Sequence, residues 1–245
     1  MSIFSTRKIL GVTIHAITKQ QALALLADQA LQQGKQFVIA TANAEMIMMA
    51  RADAAFGTLL AAADLVVPDG AGVVWAARYA GEPVPERVPG VDLTQALLAY
   101  AAQQAKKVYF FGAAPGVAEQ AASQSVGRYP GLLVGGTRNG YFNETDSLEI
   151  IEEINASGAE ILFVALGVPK QEQWIYDHRN ELHARVIMGV GGTLDVLAGI
   201  VKRAPVWMQH AGLEWLYRLL CQPSRFIRML ALPRFVLAVM FDKKR

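Results

Sequence analysis

Asp69 combines a reactive side chain with a position that the fold can hold fixed. It follows the apolar run 65–67 and Pro68, and it precedes Gly70, whose missing Cβ permits a sharp turn. A carboxylate at the end of a buried strand has a fixed direction, and partial burial raises its pKa toward that of a useful general base. The alternative is that Asp69 caps a helix beginning near Ala71. The sequence leaves both interpretations open.

Thr41 and Asn43 occupy a similar place after the apolar run 37–40. Short polar side chains at a strand end can hydrogen-bond a sugar hydroxyl or a phosphate. They can equally serve as the N-cap of the helix predicted over 44–62. We predict that both residues contact substrate, with capping as the alternative.

Arg87 lies in the segment 82–90, a loop that contains three prolines and is therefore stiff. A guanidinium held by a stiff loop suits phosphate recognition, because its planar fork can bind two oxygens at once. The alternative is a surface ion pair with Glu82 or Glu86.

Three glycine turns also follow apolar runs. The segment 167–172 is typical of a strand end, a tight turn and a helix start, with Pro169 near the first turn. Free N–H groups at such a helix start favour anions, and Lys170 and Gln171 are expected to face the same space. None of the turns fits G-x-G-x-x-G. We predict that Lys170 and Gln171 bind substrate, and that nucleotide-binding glycines are Gly112, Gly167, Gly191 and Gly192.

These clusters are spaced by alternating strand-like and helix-like segments. Continuous apolar runs indicate strands covered on both faces, and strands separated by helices indicate right-handed crossovers in a parallel sheet. We therefore predict an α/β fold: a mainly parallel Rossmann-like sheet flanked by helices, with the polar clusters sharing its carboxyl edge. The predicted strands are 37–40, 65–67, 108–111, 132–135, 161–166 and 186–190, and the helices are 44–62, 91–105, 115–128, 147–156 and 170–182.

The last fifty residues differ in character. Residues 196–245 hold nine Lys/Arg against two acidic residues, a net charge of +7, which leaves −5 for the rest. Prolines break this segment into two or three short amphipathic helices with interleaved aromatic residues. We predict a catalytic α/β domain over 1–195 and a membrane-associated appendage over 196–245 that completes the active site, binding an anionic membrane surface. A solvated basic end without a target is the alternative.

The composition also excludes several classes of protein. One cysteine, Cys221, cannot form an internal disulfide. The start lacks a signal peptide, and no apolar run reaches the 18–20 residues of a spanning helix. Histidine spacing gives no zinc motif, and D-x-D is absent. We predict a protein located in the cytoplasm, peripheral on the inner face of the plasma membrane, with no metal and no cofactor.

Eight ordered motifs between about residues 41 and 228 resemble the WecG/TagA/CpsF family of bacterial glycosyltransferases. Any one of them is weak, but eight together are highly specific. They are T-A-N-A-E (41–45), D-L-V-V-P-D-G (64–70), E-R-V-P-G-V-D-L (86–93), N-G-Y-F (139–142), A-L-G-V-P-K-Q-E (165–172), G-V-G-G-T-L-D (189–195), K-R-A-P (202–205) and G-L-E-W-L-Y-R-L-L followed by Q-P-S-R (212–225).

The resemblance implies an inverting transfer from a UDP-sugar onto undecaprenyl-diphospho-N-acetylglucosamine. The donor is UDP-N-acetylmannosamine in the teichoic acid branch, which the segment 41–50 resembles more closely, or its uronic acid in the enterobacterial common antigen branch. By motif position, Asp69 is similar to the catalytic base, and the surrounding pocket residues are Thr41, Asn43, Arg87 and Gln171. The appendage residues that the resemblance places at the diphosphate are Arg218, Arg225 and Arg228.

Three other functions remain as rivals. A nicotinamide-dependent oxidoreductase is disfavoured, because the glycine fingerprint and its acidic ribose partner are missing. A non-catalytic membrane-surface module would depend on the tail alone. Nucleic-acid binding is not expected, because the prolines and aromatic residues of the tail fit a packed interfacial segment better than a groove-reading helix.

Overall fold

A six-stranded parallel sheet forms the centre of the protein. The computed structural model describes residues 4–221 and 229–242. The sheet order is β4-β3-β8-β7-β5-β6, and every pairing is parallel. The strands are β3 (Phe37–Ala42), β4 (Leu65–Pro68), β5 (Lys107–Gly112), β6 (Leu133–Arg138), β7 (Ile161–Ala165) and β8 (Val186–Gly189). The predicted α/β class and all six predicted strands are confirmed.

The central strands are apolar on both faces because helices cover both sides of the sheet. All five residues of β7 and all four of β8 are buried, as expected for a parallel sheet enclosed between two layers. The covering helices are α1 (Lys19–Leu25, continued by a π-helical segment Leu26–Gln32), α2 (Ala44–Ala52), α3 (Ala54–Ala61), α4 (Ala71–Tyr79), α5 (Gly90–Gln103), α6 (Val117–Arg128), α7 (Ser147–Ala156), α8 (Lys170–His178) and α9 (Thr193–Leu197).

The helix predicted over 44–62 is wrong in one respect, because the structure divides it into α2 and α3. Asp53 takes an extended conformation at the break, ends α2 and caps α3 by accepting a hydrogen bond from the N–H of Ala55. A short polar side chain at an N-cap satisfies a free N–H group, which stabilises a new helix start. The sequence prediction also omitted the antiparallel hairpin β1 (Thr6–Ile9) and β2 (Val12–His15).

After α9, the described residues form the helices α10 (Val206–His210), α11 (Glu214–Cys221) and α12 (Ala231–Phe241). The helix α12 packs against α2 and α4, and its Phe235 is fully buried in the apolar cluster of that side. The basic segment is therefore joined to the body by a packed helix. The domain division at residue 195 stays a prediction.

Candidate functional site

A large cleft lies along the carboxyl edge of the sheet. Its volume is about 1650 Å³, above the roughly 300–1,000 Å³ of a pocket for one small ligand. It therefore has room for two substrates side by side. All five polar clusters of the sequence line it, through Thr41, Asn43, Asp69, Ala113, Gly167, Gly191 and their neighbours. The expectation that they share one edge is confirmed.

Asp69 lies at the floor of this cleft, directly after β4. Its carboxylate Oδ2 accepts a hydrogen bond of 3.2 Å from the N–H of Gly90, the first residue of α5. The N-cap residue of the neighbouring α4 is Gly70, with φ +94°. The strand thus ends in a glycine turn that leaves Asp69 facing the cleft, and the proposed capping of α4 is not its role.

The surroundings of Asp69 make its carboxylate a stronger base than that of an ordinary aspartate. Burial raises the pKa of Asp69 to about 6, against an ordinary value of 3.8, while the Gly90 N–H and the positive charges of Arg218 and Arg87 oppose the rise. The nearby negative charge of Glu214 adds a smaller increase. Asp69 is therefore ionised near neutral pH and accepts a proton more readily than an ordinary aspartate.

Thr41 and Asn43 both line the cleft beside Asp69. Asn43 is also the N-cap of α2, because its Oδ1 accepts a hydrogen bond of 3.0 Å from the N–H of Met46. Thr41 packs against Gly90, where an added Cβ would lie 3.2 Å from the Thr41 methyl group. Capping and cleft lining are thus combined in Asn43, and both side chains are held in place by the scaffold.

Arg87 lines the cleft and is held by an acidic partner from the C-terminal segment. In the described part of the chain its ion-pair partner is Glu214, at 2.6 Å, and not Glu82 or Glu86 of its own loop. Glu214 also accepts from Arg203 Nε at 3.2 Å. The guanidinium of Arg203 in turn pairs with both oxygens of the Asp92 carboxylate in α5, one of these contacts being 3.1 Å.

Gln171 lines the cleft, but its side chain is almost wholly buried in the cleft wall. Its Oε1 accepts from the N–H of Gly191 at 3.0 Å, and its Nε2 donates to Glu172 at 2.8 Å. Both ends of the amide thus have protein partners, and the side chain is only 3% exposed. Lys170, one residue earlier, is exposed at the cleft wall. Both residues line the cleft, and Lys170 is the more exposed of the two; their contact with substrate stays a prediction.

The four predicted nucleotide-binding glycines have different surroundings. Gly167, Gly191 and Gly192 line the cleft. Gly112 is buried at the end of β5, where an added Cβ would lie 2.5 Å from the backbone of Ala165. Gly112 therefore permits β5 and β7 to approach closely beneath the adjacent turn.

Of the three arginines that the resemblance places at the diphosphate, Arg218 lies at the cleft. It belongs to α11, lines the cleft and lowers the pKa of Asp69. Arg225 and Arg228 lie outside the described residues. The predicted convergence of an aspartate and arginines at one sheet edge thus holds for Asp69, Arg87 and Arg218.

The sequence prediction missed the acidic side of this arrangement. Glu214, Arg203 and Asp92 lie inside the motifs that carry the family resemblance, but their residue types alone do not indicate that they contact one another. Their link depends on contacts across 111 and 127 residues of chain. A single glutamate inside a positively charged segment, at the start of an amphipathic helix, was the available signal.

Two further properties concern partners of the site. Across residues 4–221 and 229–242, no group of three or more His, Cys, Asp or Glu side chains is arranged to hold a metal ion. The same ranges contain no helix with the length and apolar character needed to cross a membrane.

Comparison with known proteins matches this architecture to one family. The model of the glycosyl transferase WecG/TagA/CpsF family matches residues 7–245. A Bacillus spizizenii protein is 40% identical over 210 residues, which cover 86% of this chain and 81% of that relative. A Bacillus subtilis protein is 35% identical, covering 84% and 80% of the two chains, and a Staphylococcus aureus protein is 34% identical, covering 97% and 93%.

All three relatives carry the name N-acetylglucosaminyldiphosphoundecaprenol N-acetyl-beta-D-mannosaminyltransferase. The family match extends over nearly the whole chain, including the C-terminal helices that contribute Glu214 and Arg218 to the cleft. This chain belongs to the WecG/TagA/CpsF family and is a glycosyltransferase.

Proposed function

We propose that the enzyme transfers N-acetylmannosamine from UDP-N-acetylmannosamine to undecaprenyl-diphospho-N-acetylglucosamine, with inversion at the anomeric carbon, in the synthesis of a cell-surface polymer. The observation that carries the chemistry is the carboxyl group of Asp69 at the cleft floor, flanked by Arg87 and Arg218, together with a pKa that burial raises to about 6. The identity of the two substrates rests on the names of the relatives.

In the proposed reaction Asp69 removes the proton of the acceptor hydroxyl as that oxygen attacks the anomeric carbon. The bond between this carbon and the diphosphate breaks on the opposite face, and UDP leaves with the electron pair. One base and one displacement give inversion. A raised pKa suits this role, because the carboxylate is ionised at neutral pH and still holds the transferred proton well enough to assist the attack.

The departing diphosphate needs positive charge as its own negative charge develops. Arg218 and Lys170 line the cleft and are the described cations suited to this task, and Arg87 lines it while paired with Glu214. Preorganised cations stabilise charge more effectively in a cleft than in water. Thr41, Asn43 and the turns at Gly167 and Gly191 are proposed to bind the sugar and nucleotide.

The C-terminal segment is proposed to hold the enzyme on the inner face of the plasma membrane, where the lipid acceptor resides. Support comes from exposed apolar side chains on its helices, among which Trp207 is 66% and Phe241 77% exposed. Apolar insertion combined with Lys/Arg attraction to anionic lipid is the usual basis of such binding.

A donor panel tests the assignment directly. The purified enzyme is incubated with a short-chain polyprenyl-diphospho-N-acetylglucosamine and, separately, with UDP-N-acetylmannosamine, its uronic acid, UDP-N-acetylglucosamine or UDP-glucose, with and without EDTA. We expect the highest kcat/KM with UDP-N-acetylmannosamine, and equal rates in EDTA. Preference for the uronic acid would move the enzyme to the common antigen type of donor. Turnover with none of the four would refute the proposal.

A further inference from the structure

The acidic residue Glu214 joins the C-terminal helix α11 to the cleft. Its carboxylate contacts two arginines of different segments, Arg87 at 2.6 Å and Arg203 at 3.2 Å, and its side chain is only 19% exposed. A carboxylate with two cationic partners and this degree of burial is held in one geometry far better than an exposed ion pair.

The network extends into the body of the enzyme. Arg203 contacts both oxygens of Asp92, and Asp92 lies in the first turn of α5, two residues after Gly90. Gly90 donates its N–H to Asp69. The chain of contacts therefore connects the start of α11 to the helix start that holds the proposed base.

A close approach of the backbone also holds the start of α11 against the start of α4. Gly212, two residues before Glu214, has φ +72°, and an added Cβ would lie 2.8 Å from the Cβ of Ala71. Ala71 begins α4, two residues after Asp69. The turn before α11 thus packs closely on the start of α4, and Glu214, two residues later, pairs the first turn of α11 with Arg87 and Arg203.

We propose that Glu214 is a positioning residue: by bridging Arg87 and Arg203 it anchors the start of α11 and thereby holds Arg218, one helical turn further on, against Asp69 at the cleft. Residues four apart lie on the same face of a helix, so the anchor and Arg218 face the cleft together. This inference rests on the proposed role of Asp69 as the base.

Glu214 affects Asp69 both as a charge and as an anchor, and these two effects have opposite signs. The charged groups that act on the Asp69 carboxylate are Arg218 and Glu214 of α11 and Arg87 of the preceding loop. Burial is the largest influence on its pKa, and Arg218 lowers this pKa more than Glu214 raises it. Loss of the Glu214 charge alone would therefore lower the pKa of Asp69, whereas loss of the anchor, which also removes Arg218, would raise it.

The variant Glu214→Gln separates these effects. We expect kcat to fall by about 10- to 100-fold, the scale of a misplaced catalytic group. The pH midpoint of kcat/KM is expected to move upward. Glu214→Asp retains the charge and should recover part of the lost kcat. The matched control is Glu160→Gln, which removes a half-exposed ion pair with Lys106 at 2.9 Å; it should leave kcat unchanged.

A normal kcat in Glu214→Gln, or a downward shift of its pH midpoint, would overturn the inference. Thermal unfolding of each variant shows whether it is folded. If Glu214→Gln does not fold, Asp92→Asn breaks the same network at its other end and should shift the midpoint in the same direction. Asp69→Asn is assayed in parallel. If that variant keeps its turnover, the proposed base is wrong; if it is inactive while Glu214→Gln is unaffected, only the positioning role fails.

Discussion

Replacing Asp69 by asparagine should stabilise the folded protein while it removes the proposed base. At neutral pH the native enzyme keeps a carboxylate charged at a site where burial raises its pKa to about 6. Asparagine keeps an oxygen that can accept the Gly90 N–H bond and carries no charge. The variant would therefore keep the hydrogen bond without the unfavourable free energy of a buried charge.

The size of the effect follows from the pKa difference. Each pKa unit corresponds to about 1.4 kcal/mol, so a rise from 3.8 to about 6 costs the ionised native state on the order of 3 kcal/mol. Asp69 keeps partial access to solvent at the cleft floor, and hydration offsets part of this cost. We therefore expect Asp69→Asn to raise the free energy of unfolding at pH 8 by about 1–3 kcal/mol.

The pH dependence has a definite sign. Because the pKa of Asp69 is higher in the folded than in the unfolded protein, its favourable contribution is fully present below about pH 4 and is lost as the pH rises through about 6. The stability difference between the variant and the wild type should therefore be small at pH 4 and reach its full value above pH 7.

Urea unfolding of both proteins at pH 4 and pH 8 measures this difference. Asp64→Asn is the control, because the Asp64 carboxylate pairs with Arg179 at 2.8 Å and accepts from the Val38 N–H at 2.9 Å. That variant should be less stable than the wild type at pH 8. A destabilised Asp69→Asn, or a difference that is equal at both pH values, would refute the account of a buried charge at the cleft floor.

Three further predictions concern the cleft and the C-terminal helices. Arg87→Lys should lower kcat/KM by about tenfold, because a point charge cannot replace a planar fork; a steady-state rate within twofold of wild type would assign Arg87 a structural role. Gly189→Ala places a Cβ 2.8 Å from Gln171 Nε2, and this overpacking should lower the free energy of unfolding by about 1–3 kcal/mol in a urea titration. The control is Gly127→Ala, whose added Cβ meets no atom within 4 Å and should cost no stability. Trp207→Ser should weaken co-sedimentation with vesicles containing anionic lipid by at least threefold, and unchanged binding would remove this face from the proposed membrane contact.

The sheet and its carboxyl edge could be predicted from sequence because parallel strands buried on both faces have continuous apolar runs. The runs at 161–166 and 186–190 fall almost wholly within β7 and β8. Local signals of this kind depend on burial and not on partners elsewhere in the chain. The place of Asp69, directly after such a run, was predictable for the same reason.

Several other features were not predictable in this way. The hairpin β1–β2 has short strands that alternate in burial, and the break at Asp53 depends on one capping bond. The amide oxygen of Gln171 accepts a hydrogen bond from the N–H of Gly191, which lies 20 residues later in the chain. The partner of Arg87 lies 127 residues later in the chain. Tertiary proximity decided the surroundings of Gln171 and Arg87, whereas the hairpin and the Asp53 cap are local features with weak sequence signals.

The central claim is that the carboxylate of Asp69 deprotonates the acceptor hydroxyl in a cleft shared with Arg87 and Arg218. Its most direct test is single-turnover transfer by Asp69→Asn, with UDP affinity measured by calorimetry on the same preparation. We expect a rate lower by about 10²–10⁴-fold, the scale of a general base, with UDP affinity unchanged. A transfer rate close to that of the wild type would contradict it.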